Sequence, residues 1–363
     1  MLLTDIAAQR LLHQQLLHTR FKQPHQIVAF FGAMQAQEHA HSKWGIGVRL
    51  PGSTDAAIEK AISNKSIIRT TAFRGTLHLV APADVRWMLQ LIAPGMKVRM
   101  SSMRKKLGMD DASIKRACQL ITKALKGGNH LTRKALDTYL QENGIATDDH
   151  RMNHIIYHAA LDGLICNGPL SGKLFTYTLL DEWLPASAST KLERQAALVT
   201  LAHRYFTSHG PATLPDFANW SGLSLTDARA GLDGAQADLK AITIHNTTYW
   251  MAPGSMKTPP DTHLLLPGFD EYFIGYKDRS AIIDPSFAKK VMTINGIFNP
   301  IMVHNGEIIG TWKRTFKKDT VAITVEPFKP LKKSALKAFE PAAEQYARFL
   351  GNTLTAFTDT TAK

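Results

Sequence analysis

Two cysteines, Cys118 and Cys166, are all that the 363 residues contain. They stand far apart and form no CxxC pair of the metal-binding type, which excludes a disulfide framework and a cysteine-based zinc site. Both thiols are expected to be buried, in a reducing compartment. Long apolar runs are missing too: no segment approaches the roughly 18 apolar residues that span a bilayer. The opening MLLTDIAAQRLLHQQL has neither a basic n-region nor a continuous apolar h-region. No membrane association is expected, and cytoplasmic residence is. There is no P-loop GxxxxGK[ST], no GxGxxG behind a strand, no GxSxG elbow and no Cys/His nucleophile setting, so nucleotide-driven and acyl-enzyme chemistry are disfavoured. His154 and His158 lie four apart on a predicted helix, a zinc-compatible spacing, but no Glu or third His follows at ligand spacing. Neither a metal nor any other cofactor is expected. Acidic residues are also short, with Asp+Glu 30 against Lys+Arg 43 for a formal charge of +13. That surplus favours a polyanionic partner, nucleic acid ahead of an anionic membrane.

What is present is a chain with 44% hydrophobic residues, enough for two to four compact units. An amphipathic first helix reads from Ile6, Arg10, Leu11, Gln14 and Leu17 and must end before Pro24. A third helix is predicted over 55–64, behind the Pro51-Gly52-Ser53-Thr54 loop, and β-rich stretches follow at 66–70 and 76–80. Three helices and then a hairpin is the order of a winged helix. That order returns with helices at 112–125, 132–143 and 148–162 and strands at 164–166 and 175–177. It returns again with helices at 191–209, 214–221 and 224–237 and a hairpin at 242–250. Pro185-Ala186-Ser187 and Pro253-Gly254-Ser255 read as linkers. Beyond Pro259-Pro260 strands are predicted at 262–266, 296–304, 307–312 and 320–325, with Asn305-Gly306 as a type I′ turn, then a closing helix at 334–350 and a frayed end. The fold class expected is α+β: three tandem winged-helix units at 1–108, 109–184 and 185–256, and a small β-subdomain with terminal helix at 257–363.

The stretch VAFFGAMQAQEHAHSKW at 28–44 places two glutamines, Gln35 and Gln37, around one small residue just after an apolar run. Residues two apart on a helix diverge by about 200°, whereas in extended backbone they share one side. If both amides serve one cleft, regular helix must break here; Gly32 weakens it locally. Helix, short break, helix is one reading. Two surface glutamines on a continuous helix is the other, and spacing alone favours it.

Basic residues cluster after the first predicted wing (Lys97, Arg99, Arg104, Lys105, Lys106) and around a late turn (Lys313, Arg314, Lys317, Lys318). Phosphate contacts are one use for them, and a hairpin tipped with such residues and Phe316 is suited to entering a groove. A solvated turn explains the second cluster equally well. The stretch after Leu264-Leu265-Leu266-Pro267-Gly268 offers Asp270, Glu271, Tyr272, Tyr276, Asp278 and Arg279, either at a cleft edge or in an ion-pair network holding two domains together. His78 either faces the cleft or satisfies a backbone carbonyl, and His39 sits beside the glutamines.

Four segments, Gln-Ala-Gln at 35–37, RGTLH at 74–78, LLPGFDEYFIGYKDRS at 265–280 and GTWKR at 310–314, resemble in order and spacing the bacterial winged-helix family of interstrand-crosslink DNA glycosylases, the AlkZ/YcaQ-like proteins. The likeness runs over nearly the whole chain. It implies a concave, basic surface for damaged double-stranded DNA and hydrolysis of the N-glycosidic bond of N7-alkylated guanine. A monomer in the bacterial cytoplasm, associated with the nucleoid, goes with it. It implies Gln35 and Gln37 as catalytic residues, in the branch that carries Gln where the other branch carries Asp. Arg74, His78 and the basic clusters are then expected to bind DNA, with His39, Asp270, Tyr272 and Arg279 at the cleft edge. The reading from a different class is a non-catalytic winged-helix DNA-binding protein or transcription regulator, which would dimerise on palindromic half-sites.

Overall fold

The structure, a computed structural model, describes residues 3–254 and 261–360; the linker at Ser255, the Pro259-Pro260 pair and the 256/257 boundary lie outside them. The first group of elements is α1 (Leu3–His13), α2 (Pro24–Phe31), β1 (Ala33–Gln35), α3 (His39–Gly47), α4 (Asp55–Ser63), β2 (Ile68–Thr71), β3 (Leu77–Val80) and α5 (Val85–Lys106). Its sheet has the order β1-β3-β2 and is antiparallel throughout. The second is α6 (Asp111–Leu125), β4 (Leu131–Thr132), α7 (Arg133–Glu142), α8 (Arg151–Leu161), β5 (Ile165–Asn167), β6 (Thr176–Leu179) and α9 (Leu180–Trp183), with a sheet ordered β4-β6-β5. The third is α10 (Arg194–His209), α11 (Leu214–Ser221), α12 (Leu225–Ala235), β7 (Lys240–Ile244) and β8 (Thr247–Met251), where Ala212 bridges to Trp250 beside the hairpin.

The helices begin where local chemistry says they should. Thr54, Asp110, Thr132, Thr213 and Ser224 each accept a backbone N–H of their own helix's first turn, satisfying a donor that has no intrahelical partner. The last group is β9 (His263–Leu266), α13 (Glu271–Ile274), α14 (Ala288–Val291), β10 (Ile301–His304), β11 (Glu307–Lys317), β12 (Thr320–Pro327), α15 (Lys333–Lys337), α16 (Glu340–Leu350) and β13 (Thr353–Asp359). It forms one five-stranded sheet in the order β13-β12-β11-β10-β9. Asn305 and Gly306 both take positive φ, 50° and 90°, as a type I′ turn requires.

Several expectations are corrected. The 22-residue α5 had not been anticipated, and it carries the whole Lys97–Lys106 cluster. Pro94 and Gly95, both poor residues for a helix interior, sit in its middle; both are exposed, and the apolar face before them is buried. Residues 353–359, expected to fray, are instead a strand: β13 pairs in parallel with β12. The closing helix is split into α15 and α16, since Pro341 suits a first helical turn better than an interior. β11 runs on to Lys317, so Lys313 and Arg314 lie in the strand rather than at the turn. Cys166 is buried as expected, Cys118 only in part.

Hydrophobic packing ties the groups unequally. One core is shared by the first, third and last groups, with Phe31, Trp44, Phe73, Phe217, Tyr272 and Trp312 at or near zero exposure. Residues 109–179 pack mainly around a core of their own, including Ile121, Leu136 and Ile155.

Candidate active site

Gly32, at φ 81°, ends α2 in a conformation that only glycine adopts freely, and the chain leaves it extended as β1. The segment is therefore helix, short strand, helix, and a continuous helix is overturned. Within the sheet Gln35 pairs with His78, and the ladder continues through the Ala36 N–H to Leu77 O (2.7 Å). β1 ends at Gln35 and Gln37 lies in the bend before α3, yet both carboxamide oxygens bond the same 74–77 segment. Gln35 is 9% exposed, while Gln37 is open to solvent.

Both carboxamides are held loosely. Gln35 Oε1 accepts from Arg74 Nη2 at 3.4 Å, and Gln37 Oε1 accepts from the Leu77 N–H at 3.4 Å. Those distances lie at the weak end of the hydrogen-bond range, so either amide can turn to a substrate at small cost. The backbone beneath is held firmly. Arg69 Nη2 donates to Ala36 O (3.0 Å) and Nη1 to Asn167 Oδ1 (3.0 Å), and its guanidinium lies 4.1 Å over the Phe175 ring. The hairpin of the second group thus reaches the glutamine segment, where Phe175 also meets His39 edge-on at 5.1 Å. From behind, the Gln35 N–H donates to Glu271 Oε1 at 2.8 Å. Glu271 Oε2 accepts from Trp220 Nε1 (3.0 Å) and His209 Nε2 (3.3 Å). Burial pushes the Glu271 carboxyl up, but the hydrogen bonds from His209 and from the Gln35 N–H bring it below its usual value. Burial lowers His209, which donates as a neutral ring.

The other expected site residues fall into two classes. His78 is wholly buried and cannot touch DNA; its Nδ1 donates to Thr76 O (2.9 Å), and burial, reinforced by Arg74, drops it to about 4. Arg74 is largely spoken for, with Nη1 donating to the Trp220 and Asn219 carbonyls. Asp270 and Tyr272 are not at a cleft edge. Asp270 makes a bidentate pair with Arg49 (2.8 Å each), and the Tyr272 hydroxyl donates to Gly306 O (2.7 Å), all in the interior. Arg279 lies over Phe273 (4.5 Å) and donates to its carbonyl. The ion-pair network joining distant parts of the chain is real, but its arginine is Arg49. His39 bonds Glu59 (2.7 Å), which also accepts from Lys43 (3.0 Å).

Among the basic residues, Lys97 pairs with Asp162, Arg99 donates to Gly222 O and Arg104 pairs with Asp111. Lys105 and Lys106 at the end of α5, and Lys317 and Lys318 at the β11–β12 tip, are exposed; Phe316 beside the latter is 51% exposed. Lys313 is exposed and 3.8 Å from Glu326. Arg314 stands over the Tyr346 ring (5.8 Å), and with burial it lowers His41, in the first turn of α3, to about 3. The β11–β12 hairpin therefore rises beside the helix that follows the glutamines.

For a metal, His154 and His158 supply no third ligand. Among the described residues a trio of ligand type lies elsewhere, where Asp261, His263 and His304 bring ligand atoms within 4.8 Å of one another. A recess of about 960 Å³ lined by Thr213, Asp216, Arg229, Trp250 and Lys277 does not include the glutamines.

Sequence reasoning had missed Arg69, Phe175, His209 and Trp220, and had assigned Glu271 no separate role. A charged residue inside the β-rich Ile67-Ile68-Arg69-Thr70 was the one available signal. No helix among the described residues is long and apolar enough to cross a membrane.

Comparison with known proteins agrees with this architecture. The chain aligns with the interstrand DNA cross-link repair glycosylase of Streptomyces sahachiroi at 24% identity over 339 residues, 90% of each chain. The solved structure of the Streptomyces sahachiroi DNA glycosylase AlkZ superimposes with a TM-score of 0.83, covering 98% of this chain and 99% of that one at 22% identity, which establishes the shared fold. The family described as DNA glycosylase AlkZ-like matches residues 28–349, a span that holds the glutamine segment and all the groups packed against it. The chain belongs to the AlkZ-like DNA glycosylase family and is an enzyme of that class.

Proposed function

We propose that this glycosylase hydrolyses the N-glycosidic bond of N7-alkylated guanine in damaged double-stranded DNA, bulky adducts and interstrand crosslinks included, as a monomer acting through Gln35 and Gln37. The observation that carries the reading is the presentation of two weakly held carboxamides at the break between two helices, both bonded to the 74–77 segment and one of them open to solvent. Neither amide is a general base near neutral pH, but a carboxamide oxygen accepts a hydrogen bond and aims a water. Its dipole also stabilises positive charge on the sugar as the bond to the base stretches. In the reaction the water oxygen bonds to C1′ and the C1′–N9 bond breaks. Its electron pair goes to the base and neutralises the N7 cation, and the water's proton passes to solvent. Guanine alkylated at N7 leaves without strong acid assistance, so two neutral amides suffice for it and not for an undamaged purine. Selectivity follows from leaving-group ability, and an open site suits an adduct too bulky for an enclosed pocket.

The units that carry this site are three winged helices at 1–108, 109–184 and 185–256, followed by the subdomain at 257–363. Lys105, Lys106, Lys317 and Lys318 contact phosphates, and the β11–β12 tip enters a groove. The enzyme works in the cytoplasm, at the nucleoid. The test is heat-and-alkali cleavage of a labelled duplex carrying one N7-methylguanine, and of a crosslinked duplex, after incubation with wild type, Gln35→Ala and Gln37→Ala. Enzyme-dependent abasic sites that vanish in the variants support the assignment. Release from neither duplex, with tight salt-sensitive binding retained, would put the non-catalytic DNA-binding reading first.

A further inference from the structure

The two glutamines rest on a floor that is hostile to positive charge. Arg69 bonds the backbone between them and Arg74 bonds the Gln35 side chain, so two guanidinium groups lie directly against the segment. The reaction proposed above, on which this inference rests, develops positive charge on the sugar, and like charges in a partly desolvated site repel strongly. Glu59 and Glu38 act on Arg69 from the more open side, and one fully buried carboxylate acts on Arg74. Glu271 is 2% exposed and accepts three N–H donors, from Gln35, Trp220 and His209. Three donors keep a carboxylate ionised in a setting that would otherwise neutralise it. Its neighbour Asp270 cannot share the task, since both of its oxygens bond Arg49.

We propose that Glu271 is a positioning residue for the reaction: it fixes the Gln35 backbone and supplies the buried negative charge that makes the arginine-backed glutamine pair tolerate an oxocarbenium-like sugar. It acts through Gln35 and touches no substrate. A purely structural Glu271 would support all ligands of the site alike, whereas a counter-charge discriminates by ligand charge.

The experiment compares two abasic-site analogues in otherwise identical duplexes, a protonated pyrrolidine nucleotide and a neutral tetrahydrofuran nucleotide. Wild type is expected to prefer the pyrrolidine duplex. Glu271→Gln is expected to lower that preference by about tenfold, the effect of one unit charge across a few residues at intermediate dielectric. Affinity for the tetrahydrofuran duplex should stay within about threefold of wild type. Arg74→Gln leaves Glu271 in place and removes an opposing cation, so it is expected to raise the preference. It keeps the inference testable if Glu271→Gln fails to fold. Equal weakening for both analogues in Glu271→Gln, or an unchanged or lowered preference in Arg74→Gln, overturns the counter-charge. A wild type that binds both analogues equally overturns the glycosidic reading itself, whatever the variants do.

Discussion

Asp270 and Glu271 are adjacent, equally buried carboxylates, yet they serve opposite ends of the molecule's chemistry. Asp270 faces Arg49 in a closed network: Arg49 also donates to Gln14 Oε1 (2.7 Å), Gln14 O (3.0 Å) and Gly45 O (2.9 Å), and Gln14 Nε2 donates to the Tyr276 hydroxyl (2.9 Å). Every group there has its partner, and the residues flanking α1, α3 and α13 are locked together. Glu271 faces the other way, to a segment whose two carboxamides are bonded only at 3.4 Å. Fully satisfied polar networks rigidify and specify a fold, while incompletely satisfied ones are what a substrate can complete. The difference separates what holds the protein together from what acts in the reaction proposed above.

The comparison breaks most sharply at Asp270. Asp270→Ala leaves the wholly buried Arg49 unpaired and is expected to cost ~3–5 kcal/mol, measured by urea unfolding. Adding Arg49→Met should restore much of that loss, because the unpaired charge goes with it. On the open side, Gln37→Ala is expected to leave the unfolding midpoint unchanged and slow single-turnover excision by ~10²–10³-fold, about 2.7–4 kcal/mol, if one preorganised dipole has its usual weight. Affinity for the same duplex should hold, and wild-type excision in this variant would refute the assignment. Replacing Lys317 and Lys318 together by alanine is expected to reduce the slope of log K against log salt by ~1.8, two phosphate contacts at ~0.9 each, with the excision rate at saturation unmoved. An unaltered slope would remove the β11–β12 tip from the DNA interface.

The smallest expected effect lies at Glu59. The hydrogen bond from His39, helped by Lys43, holds its carboxyl at about 2. A depressed carboxyl contributes stability that is fully present above its unfolded value of ~4.3 and is lost as pH falls toward 2. Unfolding free energies at pH 7 and pH 3 should therefore converge by ~1 kcal/mol or less in Glu59→Gln relative to wild type. An identical pH dependence in the two proteins would show that the pair adds nothing.

Much of the fold was legible because it is written locally. The caps at Thr54, Thr132 and Ser224 and the Asn305-Gly306 turn each depend on a few contiguous residues, whereas at Gly32 spacing alone favoured the continuous helix that the structure replaces with a break. What was missed needed a distant partner or a change of environment along one element. The first half of α5 is buried and the second exposed, so no single periodicity marks it, and Pro94-Gly95 falls at the change. β13 exists because β12 lies alongside it in parallel, and such pairing leaves little trace in a Thr-rich strand. The site divides the same way. Gln35 and Gln37 could be named from their own segment and its resemblance to a family, whereas His78, Asp270 and Tyr272 were placed at a DNA-facing edge and lie inside.

By itself, the sequence determined the basic charge, the recurring order of helices and hairpins and the lack of thiol, nucleotide or metal motifs, all properties of composition or of neighbouring residues. Only the tertiary structure decided which carboxylate faces Arg49 and which faces Gln35. That choice hangs on the direction of two side chains and on a partner 236 residues away, which no local pattern encodes.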